Sequence, residues 1–200
     1  METILKTGYE KILTLFYQDK EAKIHLRNIA KKTKLNINSA SRFFQSLEKD
    51  KILLSKKDGN LKKYELIKND KVYSTLTLFD ISKLNNLPSL RKNAIRYFLN
   101  TLNQKPIITF LFGSTAKNTY SQQSDIDLLL IVNKKIDTPE AEKYTDAQTT
   151  LRINCIQIPL EEFKKELKLK NDKVIQSALN TGYPLTNHIE YYYLLNHERI

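Results

Sequence analysis

The sequence predicts an α+β protein with two domains and a helical segment between them. Amphipathic helical patterns and one tight hairpin occupy residues 1–70 of the 200-residue chain. A second helical region follows in residues 71–104. Two short apolar runs joined by a polar loop then indicate strands of a small mixed sheet in residues 105–200. We therefore expect domain boundaries at 1–70, 71–104 and 105–200.

Composition limits the classes of protein to which the chain can belong. With 40% hydrophobic and 28% charged residues, it is typical of a soluble globular protein. The longest apolar runs are too short for a bilayer, and the opening "METILKTGYEK" lacks the apolar core of a signal peptide. We therefore expect a cytoplasmic protein without a membrane partner. The single cysteine, Cys155, excludes an internal disulfide and a cysteine-based zinc cluster.

The formal charge of +11 is unevenly distributed along the chain. Residues 1–70 carry 16 lysines and arginines against 9 acidic residues, and residues 71–105 carry 6 against 1. Residues 106–200 carry 11 against 12. A basic excess in the first half favours binding of a polyanion there. Solvated lysine-rich faces are the alternative explanation.

Four elements are predicted in residues 1–70. Three are helices, from the segments "TILKTGYEKILTLFYQD", "IHLRNIAKKTKL" and "SASRFFQSLEKDKIL". The fourth is a hairpin, "LLSKKDGNLKKYELI", in which Asp58-Gly59 or Gly59-Asn60 suits a tight turn. The residues expected to face inward on the first and third helices are Ile4, Ile12, Leu13, Leu15, Phe16, Ala40, Phe43, Phe44, Leu47 and Ile52.

This order of elements resembles a winged helix-turn-helix of the MarR-like kind. The resemblance implies that the third helix enters the major groove of double-stranded DNA and that the hairpin meets phosphates. The residues it assigns to base edges are Asn38, Ser39, Ser41, Arg42 and Gln45. Those it assigns to phosphates are Lys56, Lys57, Lys62 and Lys63. A winged helix that makes only protein contacts is the alternative.

Residues 71–104 read as two helices. "KVYSTLTLFDISKL" forms the first, and "LPSLRKNAIRYFLNTL" forms the second, which begins at Pro88. The apolar stripe of the second helix consists of Leu87, Leu90, Ala94, Ile95, Phe98, Leu99 and Leu102. We expect such a pair to pack between domains or at a homodimer interface.

The segment "FLFGSTAKNTYSQQSDIDLLLIV" contains the most informative pattern. Asp125 and Asp127 are two apart on a strand, so their side chains point the same way and repel each other. A divalent cation removes this conflict, and Mg²⁺ takes carboxylates together with substrate phosphates. Gly113 permits close approach of a ligand, and Ser114 adds a hydroxyl at the start of a short helix.

The segment has a Gly-Ser pair, then ten residues, then Asp-x-Asp followed by an apolar run. This pattern resembles that of the DNA polymerase β-like nucleotidyltransferase superfamily, especially its minimal nucleotidyltransferases. The resemblance implies a small mixed sheet with helices on one side and a site for ATP or another nucleoside triphosphate with Mg²⁺ or Mn²⁺. The nucleotide-binding residues it implies are Gly113, Ser114, Lys117 and Ser124. Asp125 and Asp127 are the implied catalytic metal ligands.

The sequence departs from the family pattern at two positions. Asn118 replaces a frequent glycine, and asparagine tolerates the left-handed backbone that such a turn needs. Asn154, in "LRINCIQIP", stands where the family brings a third carboxylate to the metals. An amide can offer a carbonyl oxygen to a metal, but it cannot act as a base. Whether the chain is an enzyme therefore stays open. Glu161 and Glu162 are expected to head a helix instead.

The tail, "VIQSALNTGYPLTNHIEYYYLL", predicts a helix, a turn at Gly182–Pro184 and an amphipathic closing segment. Its tyrosines are expected to pack in the core, and stacking on bases is the alternative.

Three functions follow from these expectations. The leading one is metal-dependent transfer of AMP from ATP to a protein or other hydroxyl acceptor by a DNA-binding protein, in an antitoxin-like role with a partner protein such as a toxin. The second is a DNA-binding regulator whose degenerate nucleotidyltransferase domain binds only nucleotide or a partner. The third is a small-molecule modifier such as an aminoglycoside nucleotidyltransferase, which a basic winged helix disfavours.

Overall fold

The computed structural model describes residues 7–197, so the predicted inward residue Ile4 lies outside the described residues. The chain divides into two units, Met1–Phe79 and Asp80–Ile200. The boundary falls within a single helix, Asp70–Asn85. The three-part division at 70 and 104 stays a prediction. Among residues 7–197, no helix combines the length and apolar composition that crossing a membrane requires.

The first unit contains three helices followed by a hairpin. The helices are α1 (Thr7–Gln18), α2 (Leu26–Thr33) and α3 (Ile37–Lys49), and the strands are β1 (Ile24–His25), β2 (Leu53–Asp58) and β3 (Leu61–Leu66). Within residues 7–79 the strands pair antiparallel in the order β1-β3-β2. The order of helices and hairpin agrees with the sequence expectation, and the short β1 is an addition to it. The winged helix-turn-helix assignment itself stays a prediction.

Local sequence explains where α3 and the hairpin begin and end. The side chain of Asn36 accepts a hydrogen bond from the backbone N–H of Asn38 at 2.9 Å, so α3 begins two residues earlier than predicted. Gly59 has a φ of 60° in the two-residue turn of the hairpin, as the Asp58-Gly59-Asn60 sequence predicted. Phe44, Leu47 and Tyr64 are buried between α3 and the sheet.

The second unit is built on a mixed sheet. Its helices are α4 (Asp70–Asn85, which begins in the first unit), α5 (Ser89–Thr101), α6 (Gly113–Lys117), α7 (Pro139–Thr149), α8 (Leu160–Leu169), α9 (Lys173–Thr181) and α10 (His188–His197). Its strands are β4 (Ile108–Phe112), β5 (Ile126–Val132), β6 (Ile153–Pro159) and β7 (Tyr183–Pro184). The described strands lie in the order β6-β5-β4-β7, with β5 parallel to β6 and antiparallel to β4. The small mixed sheet is thereby confirmed.

Helices cover both faces of this sheet, so the expectation of helices on one side was wrong. Leu111 and Leu128 are paired across β4 and β5 and belong to the core that α5 completes with Phe98. The neighbouring Phe110 points to the other face, where its ring centroid lies 4.8 Å from that of Tyr191 on α10. Because successive residues of β5 are apolar, both faces had to be buried.

The predicted turn at Gly182–Pro184 is instead the start of a strand. β7 pairs with β4 through Leu111 opposite Tyr183. A Cβ atom at Gly182 would lie 2.4 Å from the carbonyl oxygen of Leu111, so glycine allows this close backbone approach.

The last described helix, α10, packs against the other elements of the second unit through its aromatic residues. Tyr192 is buried and donates its hydroxyl to the carboxylate of Asp80, whose side chain is fully buried. His188 lies 3.1 Å from the same carboxylate. Tyr191 is buried as well, whereas Tyr193 is 47% exposed. Core packing therefore accounts for Tyr191 and Tyr192.

Candidate functional site

The candidate site lies where β4 ends and β5 begins. Phe112 is in register with Asp127, and the next residue, Gly113, starts α6 with a φ of 70°. A Cβ atom at Gly113 would lie 2.0 Å from Oδ2 of Asp127. No larger residue fits there unless the aspartate moves. The first turn of α6 and the Asp127 carboxylate are thus in direct contact.

The two aspartates differ in exposure. Asp125 precedes β5 and is exposed, whereas Asp127 is the second residue of the strand and is half-buried. Ile126, between them, is fully buried, and its N–H donates to the carbonyl of Arg152 at 2.9 Å. Because Ile126 points into the α5 side of the sheet, the strand directs Asp127 to the opposite side.

Asn154 lies beside Asp127 on the neighbouring parallel strand. The two residues are in register, and Nδ2 of Asn154 donates a hydrogen bond to Oδ1 of Asp127 at 2.9 Å. Within residues 7–197, no group of three or more histidine, cysteine or acidic residues is placed to hold a metal. The structure therefore brings an amide to the position that the sequence assigned to a third ligand. Metal binding by Asp125, Asp127 and Asn154 stays a prediction.

The other predicted nucleotide-binding residues flank α6 and the following loop. Ser114 is half-buried in the first turn, and Lys117 is exposed in the last. Asn118 ends the helix with a φ of 57°, so the left-handed conformation predicted for it is confirmed. The hydroxyl of Ser124 accepts a hydrogen bond from the N–H of Ser121 and therefore closes the loop. Nucleotide binding by these residues stays a prediction.

Sequence reasoning missed Arg91, which holds this loop in place. The residue is only 3% exposed, whereas Leu90, predicted to face inward, is 51% exposed. Nη1 of Arg91 donates to the Thr115 hydroxyl at 2.9 Å, and Nη2 donates to the carbonyl oxygens of Ser121 and Ser124 at 2.9 and 3.0 Å. One guanidinium group thus joins α5, α6 and the loop that leads to the aspartates.

The aromatic ring of Tyr120 completes the surroundings of Arg91. Its centroid lies 3.9 Å from the guanidinium carbon, which is within the range of a cation–π contact. The signal for Arg91 was present in the sequence. It falls on the same helical stripe as Leu87, Ala94 and Ile95, and a charged residue on an apolar stripe needs a buried partner.

The candidate DNA-contacting residues of α3 lie mostly on its exposed side. Asn38, Ser39, Arg42 and Gln45 are exposed, and Ser41 is half-buried. A groove of about 310 Å³ within the first unit is lined by Ser41 and Gln45 from α3 and by Lys62 from the hairpin. His25 and Arg27, which sequence reasoning did not select, line it as well.

The four hairpin lysines lie opposite one another in two cross-strand positions, and among residues 7–197 only one of these positions carries ion pairs with acidic residues. Lys57 and Lys62 are opposite each other across the strands, as are Lys56 and Lys63. Lys56 pairs with Glu65 at 2.5 Å, and Lys63 pairs with Asp58 at 2.6 Å. The Lys63 ammonium group holds the pKa of Asp58 below its usual range. The two ion pairs offset part of the positive charge on one face of the hairpin. DNA binding by this unit stays a prediction.

Comparison with known proteins finds a family similarity within the second unit. Residues 92–188 match the family model described as Polymerase beta, Nucleotidyltransferase. The matched segment includes Gly113, Asp125, Asp127 and Asn154. Comparison with the curated proteins and with the solved structures found no significant match. Residues 92–188 are therefore similar to nucleotidyltransferase domains of the polymerase β type, which supports the resemblance of the Gly-Ser and Asp-x-Asp motifs to that superfamily.

Proposed function

We propose that the chain is a metal-dependent nucleotidyltransferase that transfers AMP from ATP to a hydroxyl group of a protein or other acceptor, with release of pyrophosphate, and that its first unit binds double-stranded DNA. The contact between Gly113 and the Asp127 carboxylate is the observation that carries the proposal. It brings a glycine turn suited to a phosphate beside a carboxylate suited to a cation. The family match over residues 92–188 supports the same reaction class.

The residues present fit one magnesium ion. Asp125 and Asp127 offer two carboxylates near the surface, and phosphate oxygens and water complete the preferred octahedron of Mg²⁺. When bound, the cation neutralises charge on the phosphates and helps align the α-phosphate with its attacking oxygen. A second cation fits less well, because Asn154 adds no negative charge.

The remaining residues have distinct proposed roles. The Ser114 hydroxyl and Lys117 hold phosphate oxygens, while Gly113 lets them approach the backbone. Arg91 fixes the Ser121–Ser124 loop and so sets the position of Asp125. The acceptor hydroxyl gives its proton to a group other than Asn154, since an amide is not a base at neutral pH.

The Asn154–Asp127 hydrogen bond favours a second candidate function. An amide that donates to Asp127 stabilises the carboxylate without a metal, as expected in a domain that has lost catalysis. In this alternative the chain is a DNA-binding regulator, and its second unit binds nucleotide or a partner protein such as a toxin.

Labelled ATP distinguishes the two candidates. The full chain is incubated with ATP labelled at the α-phosphate, Mg²⁺ or Mn²⁺, and cell extract. Transfer predicts a labelled acceptor that Asp125→Asn abolishes and the matched control Asp146→Asn, at an exposed residue of α7, preserves. Nucleotide binding without labelling supports the regulator. Absence of both labelling and nucleotide binding contradicts the transferase and leaves only the regulator whose second unit binds a partner protein.

A further inference from the structure

A cavity is lined by residues of α6. It has a volume of about 490 Å³ and is bordered by α4, α6, α9 and β7 of the second unit. Among the described residues, its lining includes neither Gly113 nor the aspartates and Asn154. Its volume falls within the roughly 300–1,000 Å³ range of small-molecule pockets. The cavity is therefore large enough for a ligand of its own.

The lining is cationic and rich in hydrogen-bonding groups. Lys83 and Lys117 are its charged residues, and no acidic side chain lines it within the described part of the chain. The polar uncharged side chains are Asn86, Thr115, Asn118, Asn180, Thr181 and Tyr183. Such a combination of ammonium, amide and hydroxyl groups matches the oxygens of a phosphate better than those of a neutral ligand.

Tyr183 supplies an independent observation. The residue lines the cavity and is 2% exposed, yet its hydroxyl has no hydrogen-bond partner among residues 7–197. Buried polar groups without partners are few in folded proteins, and each calls for an explanation. The ammonium group of Lys83 lies 5.0 Å from the centroid of the same ring. A charged donor thus lies over the ring that carries the unpaired hydroxyl.

Two opposing effects act on the pKa of Lys83. Burial lowers the pKa of Lys83, and the carboxylate of Asp80 opposes that shift. Asp80 also accepts hydrogen bonds from Tyr192 and is paired with His188. An anion entering the cavity would restore to Lys83 the electrostatic stabilisation that burial removes.

We propose that this cavity binds the phosphate group of a small molecule through Lys83 and the hydroxyl of Tyr183. The phosphate belongs either to the nucleotide of the proposed reaction or to a separate phosphorylated compound. In both cases the recognised chemistry is the same. The proposal concerns binding alone and holds whether or not nucleotidyl transfer occurs.

Calorimetric titration of the full chain with pyrophosphate, without metal, tests the proposal. Lys83→Gln should weaken binding at least about tenfold, because a charged hydrogen bond is lost. The matched control Lys143→Gln, at an exposed residue of α7, should bind like the wild type. Tyr183→Phe should also weaken binding, yet its midpoint of thermal unfolding should equal or exceed that of the wild type. A merely structural hydroxyl would give the opposite change in stability.

Competition with ATP identifies the source of the phosphate. If ATP displaces pyrophosphate, the cavity holds the phosphates of the nucleotide. If both bind at once, it serves a separate phosphorylated compound. Wild-type protein that does not bind pyrophosphate, or unchanged affinity in either Lys83→Gln or Tyr183→Phe, overturns the proposal. Because no transfer is measured, this result is independent of the labelling experiment.

Discussion

The side-chain amide of Asn154 donates a hydrogen bond to the carboxylate of Asp127 across two parallel strands. This contact gives the proposed metal ligand Asp127 a polar neighbour on the adjacent strand. A carboxylate at position 154 would therefore lie beside the carboxylate of Asp127.

Asn154→Asp should tighten Mn²⁺ binding and raise any slow transfer activity. A third carboxylate adds negative charge beside Asp127 and can accept a proton. Without metal, the same variant should unfold at a lower temperature, because the hydrogen bond is replaced by repulsion. Calorimetry with Mn²⁺ and thermal unfolding with and without metal measure both effects.

Asn154→Ala is the control for that experiment. It removes the hydrogen bond without adding charge, at a cost of no more than about 1 kcal/mol for an exposed group. If Asn154→Asp binds Mn²⁺ no better than Asn154→Ala does, position 154 does not face the metal.

Gly113→Ala should lower the free energy of unfolding by more than Gly59→Ala does. Both glycines have positive φ, which costs an alanine roughly 1–2 kcal/mol. A Cβ at Gly59 meets nothing within 4 Å, whereas one at Gly113 would meet Asp127 at 2.0 Å. The difference between the two variants in urea unfolding therefore isolates this contact. Equal costs would mean that the Asp127 side chain moves away freely.

Arg91→Ala should destabilise the chain by about 2–3 kcal/mol, since one hydroxyl and two carbonyl groups lose their charged donor. Hydrogen exchange should rise in residues 119–125 more than elsewhere in the second unit. Arg96→Ala, at an exposed position of the same helix, is the matched control. Unchanged exchange in the loop would show that Arg91 stabilises only α5.

Asp125→Asn should abolish metal-dependent nucleotide binding and leave DNA affinity unchanged, because the two proposed activities lie in different units. Titration with a fluorescent ATP analogue and a gel-shift assay measure them separately. Equal loss of both activities in a folded variant would contradict this division.

Arg42→Ala and Lys62→Ala should affect DNA binding differently. A good base contact is worth about 1–3 kcal/mol of discrimination, so the first variant should lose specificity. The second should weaken binding to all sequences and reduce the salt slope by about 1. Lys56→Ala should change the slope less, because Lys56 is already paired with Glu65. Unaltered gel shifts for Arg42→Ala and Lys62→Ala would mean that this surface does not bind DNA.

Short-range rules predicted part of the local geometry around the candidate site. The strand alternation around Asp127 and the left-handed backbone of Asn118 follow from side-chain direction and local backbone preference. The place of Asn154 beside Asp127 was implied by the resemblance to the family pattern. Each of these depends on residues close in sequence or on one simple strand pairing.

The contacts of Arg91 and the strand β7 were not predicted. The partners of Arg91 lie 24 to 33 residues away, and no local pattern specifies them. β7 depends on Gly182 meeting the backbone of Leu111, which lies in a different part of the chain. The coverage of both sheet faces, by contrast, was available from the apolar run 128–132 of β5.

Alkylation of the Cys155 thiol can report whether the outer strand β6 is attached to the sheet. It is the single cysteine of the chain, it follows Asn154 on β6, and β6 lies at one end of the described strand order. Burial raises the pKa of its thiol to about 12, so little thiolate exists near neutral pH while β6 is in place. Whenever β6 detaches, the thiol regains an ordinary acidity of about 8.5 and reacts. The rate of thiol alkylation in the unaltered chain therefore measures how often β6, the strand that carries Asn154, detaches from the sheet.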